Sequence, residues 1–395
     1  MKILKYSSLS LLFAAALMFS SCNSDDPTPV EGKDGIIADQ NDPDLVVADL
    51  QGEITGDITL AASQNWILTG ALVVKDGGKL TIEAGTIIKA AAGGTNVYIA
   101  VEQNAEIQAV GTAVAPIKIT SNAASPKGGD WGGLLLMGNA GITGGSTAVT
   151  EIVNFIYGGS NDADDSGDIA YLTLEYTGAI INDEKEFNGL TLYGVGSGTS
   201  INNVFINYGN DDAIEFFGGT VNISNLLVVN AKDDMFDWTQ GYRGTATNVY
   251  GIRENGFDEK SNDPRGLEGD GNLDGLTPSA LPQSNPTITN LTIVNRSTVA
   301  DGMADVVKIR RGSSATLTNA HVIFSADAPA PGDFVDMTDG AGDAAGTASV
   351  NISGTGTNID TGDNKAGANN ATITIADPAN TGCPTTIFAW TGYTF

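Results

Sequence analysis

Asp212-Ala-Ile-Glu-Phe216, Asn225-Leu-Leu-Val-Val229, Asp234-Met-Phe-Asp-Trp238 and Asn248-Val-Tyr250 write one two-part pattern twice in succession. The first part returns at Asn188-Gly-Leu-Thr-Leu192 and Asp305-Val-Val-Lys-Ile309, and the second at Asn203, Asn290 and Asn319. Successive copies of the Asn lie 22, 23, 42 and 29 residues apart. A step near 22 residues, filled by short runs of alternating polarity, marks a solenoid whose turns stack on one another. Coils of β-strand rest about 4.8 Å apart, so equivalent residues pile into columns. Leu190, Ile214, Phe236 and Val307 then form an inward column. Asn203, Asn225, Asn248, Asn290 and Asn319 suit a turn, because Asn tolerates left-handed backbone and its amide can bond its own copy in the next coil.

Outward from this stretch the rhythm persists. Trp66–Val74, Leu80–Lys89, Val97–Val101, Ala105–Ala109 and Pro116–Thr120 are short apolar alternations separated by Gly-containing turns. The expected fold is all-β, a right-handed parallel β-helix of about 22 residues per turn, forming a single domain over 45–395. Two loop excursions interrupt it, at 138–168 and 251–286, and Leu267-Glu268 is expected to supply the rung missing from the second. After residue 326 the strands weaken, and the aromatic end Phe388–Phe395 is expected to cap the last coil.

The 395 residues carry a formal charge of −28. A surface so acidic repels phosphate backbones, which excludes nucleic acid as a partner. Met1–Ser21 has the form of an export signal: Lys2 and Lys5, an apolar stretch too short for a lasting membrane span, then Ser20-Ser21 before Cys22. Cys22 is the expected acylation site, and 22–44 the flexible tether of a lipid-anchored outer-membrane protein at the cell surface. Cys383 is then the one remaining thiol, so no intramolecular disulfide is expected.

Two constellations bear on chemistry. Glu215, Asp237 and Glu268 align in one outward column, and Asp211-Asp212 with Asp233-Asp234 in the next. Like charges on neighbouring strands destabilise them, so either solvent or a bound cation must offset the strip. Ca²⁺, which takes six to eight hard oxygens, is the expected ion. Asp270, Asn272 and Asp274 in Asp270–Gly275 match the first half of a calcium loop, as does Asp162–Gly167. Leu281 and Thr173 stand where the bidentate Glu of a full loop belongs. The second constellation is aromatic. Phe216 and Trp238 are expected to stack in an exposed column near Tyr208, Tyr242 and Arg243, with Trp131 in the turn Gly128-Gly-Asp-Trp-Gly-Gly133. Rings beside acids and amides are what a sugar groove requires; a packing plug is the competing reading of Trp131.

No Ser/His/Asp triad, Cys/His pair, zinc cluster or phosphate loop is present. Lys232, Arg243, Arg253 and Arg265 do not converge on an evident lyase base, and His321 reads as structural on a strand. Asn210-Asp-Asp212 resembles a catalytic turn of the polygalacturonase family, without the Gly-His element that should follow. The lipidation pattern, the Gly-Asp-Trp-Gly-Gly turn and the Asp211–Gly219 rung together resemble the β-helical surface lipoproteins of Bacteroidota-type bacteria, built on a pectate-lyase-like scaffold. The likeness spans roughly residues 50–325. It implies a surface module that binds or adheres to glycan, with a polysaccharide lyase or hydrolase, or a structural component of an outer-membrane complex, as alternatives.

Overall fold

The computed structural model describes residues 35–182, 185–300 and 302–395. The export signal, Cys22 and most of the tether lie outside the described residues. Asp34–Phe395 forms a compact unit.

The alternating segments are short strands that climb in parallel. Leu190–Tyr193 pairs with Ile214–Phe217, which pairs with Asp237–Thr239, which pairs with Glu268–Gly269. On the flank Gly167–Glu175, Ser200–Asn207, Asn222–Val229, Thr245–Arg253, Thr287–Asn295 and Thr316–Phe324 stack in the same sense. This is the right-handed parallel β-helix that the repeat predicts. The missing rung exists: Glu268 faces Asp237, and Leu267 bridges to Val307.

Each long flank strand bends at its Asn. Asn203, Asn225, Asn248, Asn290 and Asn319 hold φ between 53° and 60°. The bend lets Ile201 and Val204, three apart rather than two, both reach the interior. The five amides form a ladder: the Nδ2 groups of Asn225, Asn248, Asn290 and Asn319 donate to the Oδ1 of the preceding coil at 3.1, 2.8, 2.8 and 2.7 Å. Inside, Leu190, Ile214, Phe236, Leu267 and Val307 stack as one buried column.

Three features depart from the sequence reading. The fold begins before residue 45, because Ile36–Ile37 pairs with Glu53–Ile54 and starts the sheet. A short hairpin, Ile180–Asn182 with Lys185–Glu186, interrupts the coils without any periodic signal in the sequence. The C-terminal aromatics do not cap the last coil. The turn Thr385–Thr391 lays Phe388 across Phe205, Leu227, Tyr250 and Ile252 on the outside of the flank. Those outward positions are apolar and take the cover, and the last rung, Thr372–Ile375, is left largely exposed. The same tail closes the Asn ladder, with Asn319 Oδ1 accepting from the Thr381 N–H at 2.9 Å. Cys383 lies buried beneath this tail as a free thiol. Beyond residue 326 the coils continue in register through Ser349–Thr355 and Thr372–Ile375.

The ladder sets a stability order. Asn248→Ala removes a donor and an acceptor and places a Cβ-bearing residue without side-chain compensation in the left-handed region, at about 1–2 kcal/mol for the backbone alone. Asn248→Gly loses the same amide but keeps the backbone relaxed. Thermal melts should rank wild type above Asn248→Gly above Asn248→Ala; equal loss in both variants would show that the backbone requirement is not what selects Asn.

Candidate functional site

The strand alternation decides which columns face out. Glu215 and Asp237 project from the coil between inward residues, in register with Thr191 on one side and Glu268 on the other. Asp212 and Asp234 enter from the turn just before, and the Asp212 carboxylate accepts the Asp234 N–H at 2.8 Å. The strip is outward from the coil yet largely withdrawn from water, Asp237 keeping 9% exposure. Burial raises the carboxyls of Asp212, Glu215 and Asp237 well above the usual carboxylate range. The next cause in each case is a neighbouring acid: Asp211, Asp237 and Glu268 respectively.

Further along the same strip the charges alternate. Glu268 takes Arg265 at 2.5 Å and Arg310 at 2.6 Å. Arg265 also reaches Asp305 at 3.2 Å, and Lys308 holds Asp336 at 2.6 Å. The calcium half-loop belongs to this paired region. Asp270 binds Arg310 at 2.7 Å and Arg311 at 2.6 Å. Asn272 donates to Gln283 and to the Arg311 carbonyl, both at 2.9 Å, and Asp274 is exposed with Arg311 at 3.6 Å. Guanidinium groups therefore occupy the Asp270 carboxylate, Asn272 serves as a loop brace through Gln283 and the Arg311 carbonyl, and Asp274 points largely to solvent. In the other half-loop, Asp162 forms a two-bond pair with Arg243, both bonds at 3.0 Å. Arg243 straps the first excursion to the coil and lines an open cavity beside Asp162.

The exposed aromatic column is also corrected. Phe216 and Trp238 lie two residues beyond inward Ile214 and Phe236, so the period of two turns them into the core. Trp131, Phe216, Trp238 and Tyr242 are all at 0% exposure. Tyr242 stacks on Phe216 with centroids 4.2 Å apart and gives its hydroxyl to the Val221 carbonyl at 3.0 Å. Trp238 Nε1 donates to Ser313 at 3.1 Å, and Trp131 Nε1 to the Glu175 carbonyl at 2.8 Å. Gly132 lets the Trp131 turn sit against Phe187 and Tyr98, where an added Cβ would come within 2.8 Å of the Phe187 ring and 3.0 Å of the Tyr98 Cβ.

Tyr208 alone of the expected ligand-binding aromatics reaches a cleft. Its ring lies parallel to Tyr176, centroids 5.5 Å apart and planes 5° apart, with Phe257 edge-on at 6.3 Å. Both tyrosines occupy one coil position: their N–H groups donate to the carbonyls of Asn207 and Val229, at the exits of successive flank strands. Both are left-handed, with φ 65° and 57°, and Asn230 takes the same position in the next coil with φ 60°. Arg253 lies 5.9 Å from the Phe257 ring. The cleft, of about 510 Å³, has Lys127, Asp258 and Glu259 on its rim. The Tyr176–Tyr208 pairing is latent in the sequence once the two strand exits are aligned; Phe257 comes from the aperiodic excursion and has no such signal. Asn188 and Thr191, quoted above only as parts of the repeat, also prove to flank the acidic strip.

Fold, strip and cleft define a parallel β-helix of the kind that carries its sites on outward columns and covering loops. Comparison with known families matches residues 52–392 to the pectate-lyase-like β-helix domain, and the chain belongs to that family. No curated protein and no solved structure gives a match. Of the other residues considered for catalysis, Arg253 donates to the carbonyls of Ala231 and Lys232, His321 Nδ1 lies 2.8 Å from the Ser353 hydroxyl, and Lys232 donates to Asn210 Oδ1 at 3.1 Å beside a cavity shared with Asp211 and Asp233.

Core and cleft aromatics should respond oppositely to truncation. Trp238→Ala should cost about 3–5 kcal/mol of stability, while Phe257→Ala should cost at most about 1 kcal/mol. Denaturant titration checks this, and a Phe257 loss as large as that of Trp238 would place the cleft within the core.

Proposed function

We propose that this protein is a lipid-anchored surface module that binds neutral glycan in the cleft formed by Tyr176, Tyr208 and Phe257. The observation that carries the reading is the parallel tyrosine pair. Two parallel, stacked rings on adjacent coils line the cleft with apolar surface for the face of a sugar ring, with carboxylates at the rim to accept from hydroxyls. Both tyrosines are held in a backbone region that costs about 1–2 kcal/mol for residues other than Gly, and strain of this kind gathers at functional positions. The pectate-lyase-like family is compatible with a glycan partner.

Charge selects among glycans. The rim holds Asp258 and Glu259 against one Lys127, on a chain of net charge −28. A polyuronate would meet repulsion at the cleft and across the surface; mannan, xylan or glucan would not. Anchoring through Cys22 after the Met1–Ser21 signal would place the module at the outer membrane, within reach of such polymers. A partner in an outer-membrane complex would supply whatever chemistry follows capture.

The test uses the mature chain on immobilised neutral polysaccharides, with polygalacturonate alongside. Wild type should retain on a neutral polymer, and Phe257→Ala combined with Tyr208→Asn should weaken retention at least tenfold. Asn is the replacement of choice because Asn230 already takes that backbone position one coil further on. Binding unchanged in the variant, or confined to polygalacturonate, would overturn the assignment. Unsaturated ends or reducing sugar released by wild type would replace it with a lyase or hydrolase.

A further inference from the structure

Nine buried side-chain polar atoms lack a partner among the described residues, and four lie on one end of the acidic strip: Asn188 Oδ1, Thr191 Oγ1, Asp237 Oδ1 and Thr239 Oγ1. Thr191 stands in register with Glu215, and Glu215 with Asp237, while Thr239 follows Asp237 by two on the same face. Asn188 gives its nitrogen to Glu215 Oε2 at 2.6 Å, which leaves its oxygen unbonded beside that carboxylate. One ligand oxygen each from Asp212, Glu215 and Asp237 lies within 4.8 Å of the others. These four are all oxygens, and Asn188, Thr191 and Asp237 are the ones that adjoin the converging carboxylates.

The comparison within the strip is instructive. Glu268, Asp270, Asp305 and Asp336 each have a guanidinium or ammonium at 3.2 Å or closer. The Asp212, Glu215 and Asp237 carboxylates have no ion pair within 4.0 Å among the described residues. Thr191 stands in register with Glu215 as a neutral neighbour instead. We propose that Asp212, Glu215 and Asp237, completed by Asn188 and Thr191, form a binding site for one structural Ca²⁺.

The coil spacing favours this ion. Donors on adjacent rungs are set apart by the inter-strand distance of about 4.8 Å. An ion midway between them then has oxygens at about 2.4 Å, which is the Ca²⁺ distance; Mg²⁺ demands about 2.1 Å in strict octahedral geometry. Three carboxylates, one of them binding through both oxygens, with one amide oxygen and one hydroxyl match the lower end of the Ca²⁺ coordination range. The ion would cross-link the coils of Asn188, Asp212 and Asp237 and offset like charges that otherwise face each other between strands. The site is independent of the tyrosine cleft, and each can fail without the other.

The experiment is calcium binding by the mature chain after exhaustive EGTA dialysis. Equilibrium dialysis should recover one Ca²⁺ per chain, and the melting temperature should rise by at least about 3 °C at a hundredfold excess over Kd. Glu215→Gln and Asp237→Asn should each abolish stoichiometric binding, yet in EGTA should melt no lower than wild type, because each also removes a repulsive charge. Thr191→Val, which leaves the charge unchanged, should weaken binding about tenfold. Asp305→Asn, in the paired part of the strip, should retain one ion. Failure of wild type to retain Ca²⁺, or full retention by both Glu215→Gln and Asp237→Asn, would overturn the site.

Discussion

The in-register parallel stacking of coils is the constraint on which everything else rests. Hydrogen bonding fixes the distance between rungs, so any residue type repeated at the coil step becomes a column with a fixed spacing. The Asn ladder turns that rule into a corner. The same side chain supplies the left-handed bend and bonds its own copy above and below. Because Asn248 and Asn290 remain in contact across 42 residues of sequence, the second excursion can grow without disturbing the coil beneath it. The ladder therefore permits the long loops that build the cleft and flank the acidic strip.

Columns also concentrate charge, and the strip shows two ways of managing it. From Glu268 onward acids and bases alternate: Arg310 lies against Glu268 and Asp270, and Lys308 against Asp305 and Asp336. Each buried acid there has a cation supplied by the chain. At the other end the chain supplies a hydroxyl and an amide. Partial pairing is the costly arrangement for buried charge, and a fold that pairs one half of a column so thoroughly does not leave the other half unpaired without consequence. That contrast, rather than the number of acids, distinguishes the two regions.

How much was legible follows from what is periodic. The core column, the corner Asn residues, the Leu267–Glu268 rung and the alignment of Glu215 with Asp237 all repeat at the coil step, and the sequence shows them. Placing Phe216 and Trp238 outside was an error of parity. They follow inward residues by two, and large aromatics in a narrow coil pack against each other, as Phe216 does with Phe236 and Tyr242. The pairing of Asp270 with Arg310 and Arg311, and of Asp162 with Arg243, joins residues far apart in sequence with no common period. A calcium half-motif and an arginine clasp require the same acids, so only the structure separates them.

The tyrosine cleft shows the limit from the other side. Tyr176 and Tyr208 belong to the coil and keep their spacing whatever the loops do, while Phe257 belongs to the excursion and is held by Tyr208 and Arg253. A platform of two fixed rings with a third on a loop combines a rigid apolar surface with an adjustable edge. Rigid aromatics bind with little loss of conformational entropy, and a loop-borne ring can vary without loss to the core. Within a family whose common element is the coil, specificity would then lie in residues such as Phe257, Asp258 and Glu259. These are the positions that the repeat does not constrain, and the ones at which fold and ligand preference can diverge.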